Sequence, residues 1–322
     1  MSRSGVIVVG DVVVDVLARA LEPPAVGSDA TARVRVTGGG SGGNVAAWLA
    51  RAGIPATLVA RVGDDSFGRD QRAQLQAADV DCRLATDAAL PTGAIVVIVT
   101  PDGERTMYPD RGANLALAPA DVEAAPFDTA AHLHVAGYTL LANGSRPAAL
   151  HAIRRAREQG LSVSVDPSSA QPLRVAGADA FLHWTRGIAS CLPNLEEARV
   201  LTGCHDSKDV ARCLAGAYPE VVVTLGADGA LWSDGTNMIH RDAAVSEDAP
   251  NVDWTGADGS RGAHGIDSTG AGDAFTAGWL AARLTGAEVH AALAAAAALA
   301  AVAVATSGAR PPPRAHTRPP SG

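Results

Sequence analysis

The chain reads as an α/β fold, a mostly parallel sheet covered by helices on both faces, with a small second sheet as an appendage. Three observations lead there. From about residue 130 onward, short apolar runs alternate with helical stretches, the rhythm of strands joined by crossover helices. An early strand candidate alternates polar and apolar residues instead, as a half-exposed strand does. Finally, 322 residues with 47% apolar side chains suit one large core rather than two equal domains.

Residues 6–9 are a continuous apolar run ending at Gly10-Asp11, which predicts a central strand. Residues 12–17 continue in β-branched, extended character, and 31–36 alternate in polarity. A glycine-rich loop at 38–43 precedes a helix expected over 44–52, stopped by Gly53. Residues 94–100 and 104–108 flank Pro101-Asp102-Gly103, a good hairpin turn. Then follow a strand at 132–136, a helix at 146–159, a strand at 162–166, a helix at 195–201 and a strand at 221–225. The Ala-rich run at 291–305 is too short to span a membrane and predicts a buried helix. Residues 309–322, rich in Pro and Arg, predict a disordered tail whose deletion from 310 leaves activity untouched.

The formal charge is −8 without a basic run before the tail, which argues against nucleic acid or anionic membrane as partner. Lys208 is the single lysine among 26 basic side chains and lies in a polar stretch. A Walker A loop and a protein-kinase strand lysine are therefore both excluded. Cys82, Cys191, Cys204 and Cys213 show no C-x-x-C pair and no obvious disulfide spacing, and residues 1–4 lack the apolar stretch of a signal peptide. Both fit a cytoplasmic protein. His132 and His134 share one face of a strand without nearby ligands and read as packing residues.

The most informative segment is Asp267-Ser268-Thr269-Gly270-Ala271-Gly272-Asp273, which runs into the apolar helix candidate at 274–280. A helix N-terminus preceded by glycines collects unpaired N–H groups that bind anions. A carboxylate in such a nest is wasteful unless it has chemistry to perform. An acid that takes a proton from a hydroxyl, beside amides that receive a phosphoryl group, makes a phosphotransferase site. Residues 252–258 echo this segment but lead into no helix and read as a polar insertion.

Residues 267–280 resemble the C-terminal signature of the ribokinase-like, PfkB-type carbohydrate kinases. Further motifs follow in family order. Gly39-Gly40-Ser41-Gly42-Gly43-Asn44 is similar to the N-terminal glycine signature, and residues 10–15 to the first strand with a sugar-binding Asp15 at its end. Gly63-Asp64-Asp65-Ser66-Phe67-Gly68 fits a Gly-x-Asp-x-x-Gly element, Asn194-Leu195-Glu196-Glu197 an Asn-x-x-Glu motif, and residues 224–229 a nucleotide loop. Each is weak alone, and six in order are specific. The resemblance implies a three-layer α/β/α kinase domain over 1–308, with a β lid from 12–37 and 92–112. It implies ATP-dependent phosphorylation of a primary hydroxyl on a sugar or nucleoside. Asp273 would be the base, and the amides of Gly270, Ala271 and Gly272 the anion hole. Asp15, Gly39, Gly40, Ser41 and Asn44 would hold the acceptor. Asn194, Thr224, Gly226 and Gly229 would hold the nucleotide, with Glu197 on Mg²⁺ through water. Asp267 and Thr269 would belong to a K⁺ loop, and a homodimer through the lid is a known arrangement of such kinases.

Each assignment has a plainer counterpart. Asn194 with Glu197 is also a capping box, Asp228-Gly229 an ordinary hairpin turn, and Asp64 or Asp65 a helix cap. Asp15 could end a solvated strand, and Gly39, Gly40 and Asn44 could form a tight turn with Asn as cap. Two rival functions stand beside the kinase. In a NAD(P)-dependent dehydrogenase, Gly38, Gly40, Gly43 and Asp64 would form the dinucleotide fingerprint. That reading leaves 270–273 unexplained. In a non-catalytic sugar sensor, Asp273 would have no purpose. Ser41 and Val13, where ribose-specific kinases carry Lys and commonly Asn, speak against a literal ribokinase. Arg105, Met107 and Tyr108 of the hairpin could cover the acceptor. With only 4% aromatic residues, a neutral sugar ranks first, a nucleoside second, and a sugar acid or sugar phosphate third.

Overall fold

A computed structural model describes residues 3–23, 27–102, 104–244, 270–306 and 308–312. β1 (Val6–Val9) lies inside a nine-stranded sheet with all four side chains buried. Ile7 and Val9 enter one hydrophobic layer, Val6 and Val8 the other, so a continuous apolar run marks a strand covered on both faces. The chain then leaves the core as β2 (Val13–Ala20) and returns as β3 (Ala32–Gly39), whose outward Val34 and Val36 are exposed. α1 (Ser41–Arg51), β4 (Ala56–Gly63), α2 (Ser66–Ala77) and β5 (Val80–Asp87) extend the sheet on one side of β1. β6 (Gly93–Val99) and β7 (Arg105–Asp110) join the earlier pair in a four-stranded sheet, ordered β3-β2-β6-β7. This second sheet lies where a lid was expected.

A 3-10 turn (Gly112–Ala116) and α3 (Pro119–Val122) lead to β8 (His132–Ala136), which pairs parallel to β1 on its other side. Then come α4 (Tyr138–Leu141), α5 (Arg146–Glu158), β9 (Ser162–Asp166), α6 (Ala170–Ala176), α7 (Ala178–Trp184), β10 (Ser190–Cys191), α8 (Leu195–Thr202) and α9 (Ser207–Leu214). β11 (Glu220–Thr224) is the last parallel strand, and β12 (Ala230–Ser233) and β13 (Met238–Arg241) close that edge antiparallel. α10 (Ala271–Leu284) and α11 (Val289–Val304) pack with α1 on one face of the sheet, and α5 to α9 lie on the other. The strand order is β13-β12-β11-β10-β9-β8-β1-β4-β5. The chain reverses its direction of winding between β1 and β8, where the carboxyl ends of parallel strands open a ligand crevice.

The structure corrects several expectations. α1 starts at Ser41, three residues before the expected 44, because Gly40 makes the turn with φ 89° and Gly42 packs against Gly10, where a Cβ would sit 2.5 Å from its Cα. Asn44 is therefore inside the helix and does not cap it. Residues 10–12 interrupt the first strand, so Asp15 is not at its end but in β2 of the second sheet, inside the expected 12–37 span. α11 buries only Ala292, Leu293, Ala296, Ala297 and Ala303 fully, and Val302 is exposed. It is a one-faced helix rather than a buried one. Its alanines serve close approach, since a Cβ on Gly278 of α10 would lie 2.8 Å from Ala296 Cα. The tail does not begin at 309: Ala309 is 1% exposed and its carbonyl accepts the Trp48 indole N–H at 3.0 Å. Cys204 and Cys213, without disulfide spacing in sequence, bring their Sγ atoms to 3.3 Å as free thiols.

Candidate active site

α10 begins where Gly270, with φ 80°, turns the chain, so that Ala271, Gly272 and Asp273 form the first helical turn. The left-handed conformation there suits glycine alone, and a Cβ would also strike Ala309, 2.7 Å from its Cα. Among the described residues, nothing lies within 4 Å of a Cβ built on Gly272. Asp273 stands at the third position of this helix.

Asp273 is half-buried and accepts two hydrogen bonds from α1, one from Ser41 Oγ at 2.7 Å and one from Asn44 Nδ2 at 2.8 Å. Burial pushes its carboxyl up to about 7. The bonds from Asn44 and Ser41 pull it down, and the carboxylates of Asp166 and Asp11 push it further up. A carboxyl poised near neutrality is suited to accept a proton there. Asn44 Oδ1 is buried and, among the described residues, receives no hydrogen, which leaves an acceptor for a hydroxyl.

The glycine loop, Asp15 and Asp273 converge. A Cβ on Gly39 would overlap the Asp15 carboxylate, and one on Gly40 would lie 2.6 Å from the Asp11 carbonyl. Gly38 and Gly43, read above as a possible dinucleotide fingerprint, do something else: their bare Cα atoms make room for the guanidinium of Arg310. A pyrophosphate finds no place there.

Asn194 and Glu197 stand at the start of α8, close enough for Asp273 to act on Glu197. The capping box is formed in both directions, and Asn194 also bridges to Thr224 of β11. Gly226 and Gly229, both at positive φ, frame the turn into β12, so the hairpin reading of this loop also holds. Burial raises the Glu197 carboxyl, with Asp273 adding to the push. Burial raises Asp166 well above its ordinary range, and Glu197 adds to it. Asp166, Glu197 and Asp273 thus act on one another electrostatically, while among the described residues no three acidic, His or Cys side chains stand close enough to hold one metal ion directly. Asp267 and Thr269, with the insertion at 252–266, lie outside the described residues.

Sequence reasoning missed several residues of the crevice. Asp11, 2% exposed, receives the Arg111 guanidinium at 2.9 Å and the Gly42 amide at 3.3 Å. Arg111 also stacks 3.6 Å over Tyr138. Asp11, Arg111, Asn114 and Tyr138 line a cavity of about 220 Å³. Position was the available signal: Asp11, Tyr138, Asp166, Asn194 and Thr224 all sit at or just past the carboxyl ends of parallel strands. The histidine pair behaves as packing. His132 reaches Ser162 and Ser164, His134 reaches Ser164, and burial lowers them to about 4 and about 3. Asp65 caps α2 as read, and it also binds Thr92 at the foot of the lid. Met107 and Tyr108 are exposed on β7.

Among the described residues no helix is long and apolar enough to cross a membrane. The family model of the pfkB carbohydrate kinases matches residues 3–260 and 261–316. A fructokinase of Klebsiella pneumoniae is 34% identical over 285 residues, covering 85% of this chain and 82% of that protein. An ATP-dependent ribose-1-phosphate kinase of Halopiger xanaduensis is 31% identical over 301 residues, covering 91% and 89%. The solved adenosine kinase of Sinorhizobium meliloti superposes with a TM-score of 0.83 at 24% identity over 96% of both chains, a likeness of fold. The chain belongs to the pfkB family of carbohydrate kinases, phosphotransferases that act on sugar hydroxyls.

Proposed function

We propose that this protein transfers the γ-phosphoryl group of ATP to a primary hydroxyl of a small neutral sugar. The observation that carries the reading is Asp273: it stands in the first turn of α10 behind Gly270, clasped by Ser41 and Asn44, with its carboxyl pushed up to about 7. Deprotonated, it takes the proton of the sugar CH₂–OH as that oxygen bonds to the γ-phosphorus. The bond from the γ-phosphorus to the bridging oxygen breaks, and ADP leaves with the electron pair. The amides of Gly270, Ala271 and Gly272 receive the charge on the phosphoryl oxygens, the kind of preorganised donor worth roughly 3–4 kcal/mol each in the barrier.

Asp15, the Gly39-Gly40 backbone and the unspent Asn44 Oδ1 hold the sugar hydroxyls. Asn194 and the Thr224–Gly229 turn hold the nucleotide. Glu197 would hold Mg²⁺ through water, and the ion would supply neutralisation of the phosphate charge.

The nucleoside reading has less support. One face of the Tyr138 ring is covered by Arg111, which leaves a base only the other face, and Tyr108 stands exposed on β7. An ADP-release assay with Mg²⁺-ATP against ribose, fructose, adenosine and ribose 1-phosphate tests the reading. Release above the no-acceptor rate with a neutral sugar is expected, and none with any of the four would refute it. Isothermal titration with NAD(H) should show no binding.

A further inference from the structure

Arg310 lies beyond the last helix in a Pro-rich stretch, yet its side chain turns back into the interior. Nη2 donates to the Gly39 carbonyl at 2.8 Å. Nε and Nη1 are sealed from solvent and find no hydrogen-bond partner among the described residues. The socket is built from missing side chains. A Cβ on Gly43 would lie 2.8 Å from Nη2, and one on Gly38 would lie 2.7 Å from Cζ. Gln71 Oε1 of α2 crowds that same point by Gly38 at 2.8 Å and is likewise sealed and unpartnered. Burial lowers the guanidinium to about 10, opposed first by the nearby Asp15 and then by Cys82, Asp11 and Asp273. The side chain is therefore still charged at neutral pH.

A buried guanidinium with two idle donors is costly for a fold to keep. What it holds explains its retention. Gly39 is the last residue of lid strand β3, Gly40 makes the turn, and Ser41 and Asn44, just beyond, grip Asp273. Gly39 also packs on Asp15. We propose that Arg310 is a positioning residue for the acceptor: it pins the hinge between lid and core so that Asp15, the Gly39-Gly40 backbone and Asn44 meet the sugar together. This rests on reading that loop as the sugar site. It also assigns Arg310, 271 residues beyond Gly39, to the acceptor half of the site rather than to the nucleotide half at Asn194 and Thr224.

Steady-state kinetics with the sugar and ATP varied separately test it, using wild type, Arg310→Ala, Arg310→Lys, Gly43→Ala and the double variant Arg310→Ala/Gly43→Ala. The acceptor is whichever of ribose and fructose wild type turns over faster. Arg310→Ala should raise the sugar KM by about tenfold or more while the ATP KM moves by less than about twofold. Methylguanidinium in the buffer should recover part of that affinity. Arg310→Lys should recover little, because a point ammonium cannot reproduce the planar fork. Gly43→Ala places a methyl where Nη2 lies and should copy Arg310→Ala, and adding it to Arg310→Ala should cost nothing further. An unchanged sugar KM in Arg310→Ala overturns the proposal, as does a parallel shift of both KM values and the melting temperature. If Arg310→Ala does not fold, an unchanged sugar KM in Gly43→Ala and Arg310→Lys overturns it instead. A wild type that releases no ADP sinks the kinase reading and this one with it, whereas active wild type with indifferent variants sinks this one alone.

Discussion

Ser41 Oγ and Asn44 Nδ2 do for Asp273 what a charged partner would do more crudely: they orient the carboxyl without neutralising it. Burial wins over both hydrogen bonds, so the group titrates near 7 rather than near its ordinary 3.8. The sign of the consequence is fixed. The base works only when ionised, so kcat/KM should fall about tenfold per pH unit below 7 and level off above it. Ser41→Ala deletes one of the bonds that favour the ionised form, so its inflection should move to higher pH. A pH–rate profile of the two proteins checks this, and an inflection that stays put or moves down would contradict it. Asp273 was legible as a candidate base because it follows Gly-x-Gly at a helix start. Its two partners were legible only as candidate sugar ligands, because nothing in a linear pattern says that α1 and α10 meet end to end.

At the scale of elements, the glycines divide by what they face. Among the described residues nothing lies within 4 Å of a Cβ on Gly272, so no described neighbour requires a glycine there. A helix position gains up to about 1 kcal/mol when Gly becomes Ala. Gly272→Ala should therefore raise the denaturation midpoint while lowering kcat, because the methyl occupies the space meant for the phosphoryl oxygens. A variant both more stable and fully active would remove the anion hole from α10. Two parallel strands were readable because β1 and β11 carry continuous apolar runs bounded by polar punctuation. The start of α1 was not, because two consecutive glycines read as loop. They are helical here since Gly42 must lie against Gly10, a tertiary requirement that propensity does not encode. The first apolar run ends at Gly10-Asp11, but the resemblance carries the first strand on to Asp15, because Val12, Val13 and Val14 keep β-branched character while the chain changes sheets.

Across the whole molecule, the described end of the chain closes the structure rather than trailing from it. Ala309 receives the Trp48 indole and packs under Gly270. Composition pointed the other way, since Pro-Arg-rich ends without periodicity usually lack a core to join. Here one alanine and one arginine suffice, because the sites they fill were prepared by glycines and a tryptophan far away in sequence. Ending the chain at Gly308 leaves a buried indole N–H without its acceptor, a loss of about 1–3 kcal/mol. Urea denaturation should show that drop, together with loss of turnover, and an unaltered midpoint would contradict the packing described. The fold class, the separate second sheet and the order of the motifs were all readable in advance. The acidic cluster of Asp11, Asp166 and Glu197 around Asp273 became visible only when strand ends were brought side by side.

The most direct measurement is ADP release by Asp273→Asn beside wild type, at pH 7.5 with saturating Mg²⁺-ATP and acceptor, with ATP affinity determined by calorimetry on the same preparations. The account predicts that turnover falls by roughly 10²–10⁴-fold, the contribution of a positioned base, while ATP binds as before. Turnover within a few fold of wild type, with ATP affinity intact, would contradict the role of Asp273 and with it the kinase mechanism built around α10.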